Sequence, residues 1–137
     1  MNILSFFGVF SFCFAIFQGI YVLARDAGAR ANRLFFGIAF CIALWSFSAA
    51  FGYSATEAMD VFYWVRFSTF GYVFLHTFTL HFCVDLARNG RPVHPLFYLV
   101  YAPSLFFLYR GHTDILIFSD FVRDGVFWIG VPAFDLW

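Results

Sequence analysis

VFYWVRFSTFGYVFLHTFTLHFCVDLAR, residues 61–88, is apolar enough to span a bilayer yet carries polar side chains along its whole length. Arg66, Thr69, Tyr72, His76, Thr79 and Cys83 recur at steps of three, three, four, three and four. Residues three and four apart are neighbours on a helix surface, so the spacing predicts one helix with all six on a single face. Phe67, Phe70, Phe74, Phe78 and Phe82 take the opposite side. The expectation is a membrane helix with a Phe-rich face toward lipid and a polar stripe toward protein, water or a ligand.

The composition of the whole chain agrees with a membrane setting. Of 137 residues, 63% are hydrophobic and 12% charged, against about 45–50% and about 25% in soluble domains. So few charges cannot cover a water-soluble globule of this size. Eight basic and eight acidic residues cancel, and nothing in that balance points to nucleic acid or another polyanion. Cys13, Cys41 and Cys83 all fall in apolar runs without a Cys-x-x-Cys pattern, so no disulfide and no metal site are expected.

Working outward, apolar runs lie at about residues 3–24, 33–53, 61–86 and 95–110. Each is long enough, or nearly so, for the roughly 20 residues of a spanning helix. The fold expected is an all-α membrane protein: a bundle of four transmembrane helices over residues 1–111, followed by an extracytoplasmic segment at 112–137. The first run lacks a basic lead and a clean small-residue cleavage site, and reads as a retained helix. In the fourth, Pro95 suits a first helical turn, whereas Pro103 in mid-run should kink the helix.

Arginine placement orients the bundle. The first connection carries Arg25, Arg30 and Arg33 against one Asp, and the third carries Arg88 and Arg91 against Asp85. The second has Glu57 and Asp60 and no basic residue. By the positive-inside rule the first and third face the cytoplasm, and four spans then leave both termini outside. A multi-pass membrane protein is the setting this implies.

Small residues suggest where helices meet. Gly8, Ser11, Ala15, Gln18 and Gly19 form one stripe, and Ala39, Ala43, Ser46 and Ala50 another. In lipid, close backbone approach and not hydrophobicity drives association, so Gly8, Ser11, Ala15 and Gln18 are candidate partner contacts. Trp45, Tyr53, Tyr63, Trp64 and Tyr109 read as interfacial anchors or packing. Past residue 112, Asp124-Gly125 between Phe121-Val122 and Val126-Phe127-Trp128 is a two-residue hairpin signal, predicting a short outer-surface hairpin or flap at about 115–130.

With these residues in view, the chain resembles the first part of the N-terminal seven-helix membrane sensor region of bacterial histidine kinases and some diguanylate cyclases. The resemblance is carried by Asn32-Arg33 closing the basic connection, Trp45 in the second helix, and Trp64-Val65-Arg66-Phe67 opening the third. Tyr101-Ala102-Pro103 and the segment up to Phe127-Trp128 follow the same pattern. It implies an outside N-terminus, in agreement with the charge count. The chain departs from the family in that its 137 residues hold no phosphoacceptor-histidine helix, ATP-binding glycine motif or cyclase signature. Kinase activity does not carry over.

Ionisable groups inside a membrane are costly, and those in mid-span are functional candidates. Arg66, Thr69, Tyr72 and His76 form the candidate ligand-binding set, a pocket for an anionic or amphiphilic signal, while Arg66 can also snorkel outward to Glu57 or Asp60. His76 and His81 stand five residues apart, pointing about 140° from one another, and cannot share a metal. No cofactor is therefore expected; the alternative is a single haem or pigment held by His76 or His81 alone. For His81, packing or contact with another subunit is the commoner role. No nucleophile, base and acid can be assembled, nor any phosphate-binding loop, so no enzyme is expected. Two functional readings follow. One is a non-enzymatic, sensor-like membrane region that binds a small amphiphile or partner helices through the third-helix stripe. The other is an accessory structural subunit of a larger respiratory or photosynthetic complex, in contact with other membrane subunits or copies of itself.

Overall fold

The computed structural model describes residues 2–89, 91–113, 118–124 and 127–132, with side chains through residue 112. Three long helices come first: α1 (Ile3–Arg25), α2 (Arg30–Ser54) and α3 (Ala58–Ala87). Among the described residues these three are long and apolar enough to cross a membrane. Asn2 starts α1 by accepting from the Ser5 amide at 2.8 Å, a side-chain cap for one of the free first-turn donors. Its amide nitrogen also reaches the Tyr53 carbonyl at 2.7 Å, and Ser5 Oγ meets Ser54 Oγ at 2.6 Å. The start of α1 is thus tied to the end of α2. At the other end Asp26 accepts from the amides of Gly28 and Ala29, which turns the chain tightly into α2.

Small residues set the spacing between helices. A methyl group on Gly8 would sit 2.8 Å from the Ala50 Cβ, and one on Gly19 would sit 2.9 Å from the Ala39 Cβ. Gly8, Ala15 and Gly19 therefore lie in the seam of α1 with α2 inside this chain, and Ala15, Ala39, Ala43 and Ala50 are buried there. Ser11 and Gln18, read from sequence as part of the same stripe, are exposed. The reason is geometric: the close seam follows Gly8, Ala15 and Gly19 at steps of seven and four, and leaves the flanking positions outside. Gly71 brings α3 still closer to α2, since its missing Cβ would lie 2.5 Å from the Cys41 carbonyl oxygen.

The fourth apolar run departs from the single kinked span expected. It forms a short 3-10 helix (Pro95–Val100) and then α4 (Tyr101–Thr113). With 13 residues, α4 alone does not reach spanning length. Because α4 begins at Tyr101, Pro103 lies in its first turn, where backbone N–H groups have no intrahelical acceptor to lose. The break that a mid-helix proline would have forced is taken instead at the 3-10 junction.

Beyond α4, β1 (Phe118–Asp124) and β2 (Phe127–Pro132) pair antiparallel, with Asp124 opposite Phe127 and an irregularity between Phe118 and Asp120. Residues 114–117, 125–126 and 133–137 lie outside the described residues, and with them the Gly125 and Val126 positions of the expected hairpin.

Candidate functional site

On α3 a buried row runs at multiples of four, Val61, Thr69, Thr77, His81 and Asp85, with Gly71 buried off that row against α2. Steps of four wind slowly around a helix, since four residues turn it by about 400°. The row therefore shifts from one neighbour to the next along its length. It shares only Thr69 with the stripe read from the sequence, which alternates threes and fours and holds one direction. Arg66 and Tyr72 are half-buried, while His76, Thr79 and Cys83 are exposed.

The Phe-rich side is likewise not wholly a lipid face. Phe67 packs on Phe47, Phe82 on Phe35, and the Phe78 ring lies 3.1 Å from where a Gly37 methyl would be. α2 covers part of that side, and α4 reaches it too, with His112 on Phe70 and Tyr101 on Phe78.

α3 and α4 are joined by polar contacts in an apolar seam. Ser104 Oγ donates to the Val73 carbonyl at 3.2 Å and lies 2.6 Å from Thr77 Oγ1. A hydroxyl has one hydrogen, so Thr77 is the donor to Ser104. One turn on, His81 Nδ1 meets the Tyr101 hydroxyl at 2.8 Å, and the imidazole is edge-on to Phe97, Tyr98 and Tyr101. His81, read from sequence as packing or as a subunit contact, is 5% exposed and enclosed by this chain's own aromatics. One further turn on, Asp85 is 2% exposed and its Oδ1 stands 3.6 Å from Arg30 Nη1 on α2. Asp85 thus belongs to the helix and not to the connection after it. Among the described residues, neither of those two atoms, nor His81 Nε2, has a hydrogen-bond partner.

Beside the Thr77–Ser104 contact a laterally open groove of about 570 Å³ separates α3 from α4. Tyr72, His76 and Thr77 line one wall, and Pro103, Ser104 and Phe107 the other. Of the four residues read from sequence as a ligand site, the structure brings Tyr72 and His76 to this groove. Thr69 is turned inward, donating to the Arg66 carbonyl at 2.6 Å and touching Gly111 across the seam. Arg66 is not among the lining residues. Sequence reasoning missed Thr77, Pro103, Ser104 and Phe107. Thr77 was open to detection through its step-of-four relation to His81 and Asp85. The α4 residues were not, because no periodicity in a run broken by two prolines says which side meets α3.

Two smaller hollows lie elsewhere. One, of about 210 Å³, is walled by Trp45, Tyr53 and Trp64 between α2 and α3. The other, of about 520 Å³, lies at the arginine end beside Arg30, Arg33 and Asp85. Among the described residues no group of three or more His, Cys, Asp or Glu side chains converges as a metal site.

Long apolar helices, small-residue seams and a polar seam beside a groove are those of a multi-span membrane protein. Its family follows from sequence comparison: the model of the N-terminal 7TM region of histidine kinase matches residues 7–132, and the chain belongs to that family. That sensor region is the non-catalytic part of histidine kinases, and the 137 residues contain no kinase module. No curated protein and no solved structure matches the chain.

Proposed function

We propose that this chain is a signal-input region of a bacterial inner membrane, binding a small amphiphilic ligand in the groove between α3 and α4. The observation that carries the reading is the groove itself, which places Tyr72 and His76 opposite Phe107 in a wall made by the shortest helix. α4 has the least packing of the four helices, so it is the wall most free to move when the groove fills. Arginines at the ends of the α1–α2 and α3–α4 connections, against Glu57 and Asp60 between α2 and α3, support an orientation with those two connections in the cytoplasm. The 3-10 helix and α4 then carry the chain back across, leaving both termini and the strand pair outside. At about 2.0 Å per residue for the first and about 1.5 Å for the second, their combined length approaches the roughly 30 Å of the hydrocarbon core. Neighbouring copies or other membrane subunits receive the change through the exposed aromatic faces.

The test is extraction and mass analysis of small molecules retained by the chain purified in lipid nanodiscs, compared with Ser104→Phe, which fills the groove. Loss of a retained amphiphile from the variant is the expected result. Identical profiles from both proteins would remove the ligand reading. A fixed set of partner proteins retained by both would favour an accessory structural subunit instead.

A further inference from the structure

We infer that the α3–α4 groove selects an uncharged amphiphile whose head donates a hydrogen bond, such as a long-chain alcohol or amide, and rejects an anion; this rests on the groove being a ligand site. The inference comes from where the hydrogens already are. Thr77 gives its hydrogen to Ser104, and Ser104 gives its own to the Val73 carbonyl, so the groove floor has no hydroxyl donor to spare. His76 Nδ1 lies 3.3 Å from the Tyr72 carbonyl oxygen. The Nδ1–H tautomer makes this contact a hydrogen bond, and in that uncharged ring Nε2 is left as a bare acceptor.

Against these acceptors the lining sets a single polar group with a hydrogen to offer, the Tyr72 phenol. A hydroxyl head satisfies both kinds of partner: it donates to His76 Nε2 and accepts from Tyr72. A carboxylate brings only lone pairs, and would turn one of them on Nε2. Among the described residues no Asp, Glu, Lys or Arg lines the groove, so while His76 is uncharged neither an anionic nor a cationic head finds a counter-ion there. In a hydrocarbon setting that omission weighs against any charged head. Arg66, the cation that an anionic signal would need, stands outside the lining.

The experiment uses the full chain with ¹⁵N-labelled histidine in phosphatidylcholine nanodiscs at pH 8, titrated with 1-dodecanol, dodecanoate or dodecylammonium. The His76 signals are assigned by their loss in His76→Phe. Expected are a shift of the Nε2 resonance on adding dodecanol, and displacement of a spin-labelled dodecanol at a concentration at least about tenfold lower than dodecanoate requires, as an acceptor left unmatched in a hydrocarbon setting implies. In His76→Phe that preference should vanish while the thermal midpoint of the protein holds. If dodecanoate competes as well as dodecanol the donor head is overturned, and if dodecylammonium does the uncharged head is; in either case the inference falls and the groove reading stands. If none of the three displaces the probe, both fall.

Discussion

Ser104 Oγ on α4 lies 2.6 Å from Thr77 Oγ1 on α3, and the same serine reaches the Val73 carbonyl at 3.2 Å. This contact fastens the shortest helix to the longest beside the groove. Interhelical hydrogen bonds in membranes contribute about 0.6–2 kcal/mol each. A double-mutant cycle with Thr77→Val and Ser104→Ala, read by reversible unfolding in mixed micelles, should give a coupling of that size. Additive losses would show that the two hydroxyls do not depend on one another.

Close approach of α3 to α2 depends on Gly71. A Cβ there would meet the Cys41 carbonyl oxygen at 2.5 Å and the Trp45 amide nitrogen at 2.9 Å, both backbone atoms that cannot step aside. Gly71→Ala should therefore destabilise by about 1–3 kcal/mol through overpacking. Gly52→Ala is the contrast, because its nearest neighbour would be the Trp64 Cβ at 3.6 Å. There the gain in helix propensity, up to about 1 kcal/mol, should leave stability unchanged or raised. Thermal midpoints of the two variants in one detergent compare them directly.

At the arginine end, Asp85 is almost fully buried while Arg30 keeps about a third of its side chain exposed, at 36%. Removing the arginine strands a buried carboxylate, so Arg30→Met should cost about 2–3 kcal/mol, near or below the lower end for fully enclosed pairs because of the partial exposure. Arg30→Met combined with Asp85→Leu should recover most of the loss, since an apolar pair leaves no charge behind. Failure of the double variant to recover would mean that Asp85 serves a further partner.

Orientation can be read by labelling from outside the cell. With Cys13, Cys41 and Cys83 replaced by alanine, Asp60→Cys and Arg110→Cys should react with a membrane-impermeant maleimide on intact bacterial spheroplasts. Arg33→Cys should react only after lysis. Labelling of the Arg110 position only after lysis would mean that the 3-10 helix and α4 re-enter the membrane without crossing it.

Much of the fold was legible in the sequence because lipid imposes a length and a polarity that any crossing helix must meet. The runs at about 3–24, 33–53 and 61–86 therefore fall close to α1, α2 and α3. Gly8 and Ala15 were legible as contact residues for a similar reason, since only small side chains allow backbones to meet. Which helix they meet was not, and the answer is α2 of the same chain. His81 was read as packing or a subunit contact and Asp85 as a loop acid; both are buried, beside Tyr101 and Arg30.

The sequence by itself determined that this is a membrane protein with long apolar helices, and determined its family, because composition and span length are local properties. Only the tertiary structure decided which polar residues of residues 61–88 share a surface. The periodicity of one helix states which side chains lie on one face of that helix, but not how many neighbours it has or where they cross. With α2 on one side and α4 on the other, the buried row winds from Thr69 to Asp85, and of the expected ligand residues Tyr72 and His76 open onto the groove.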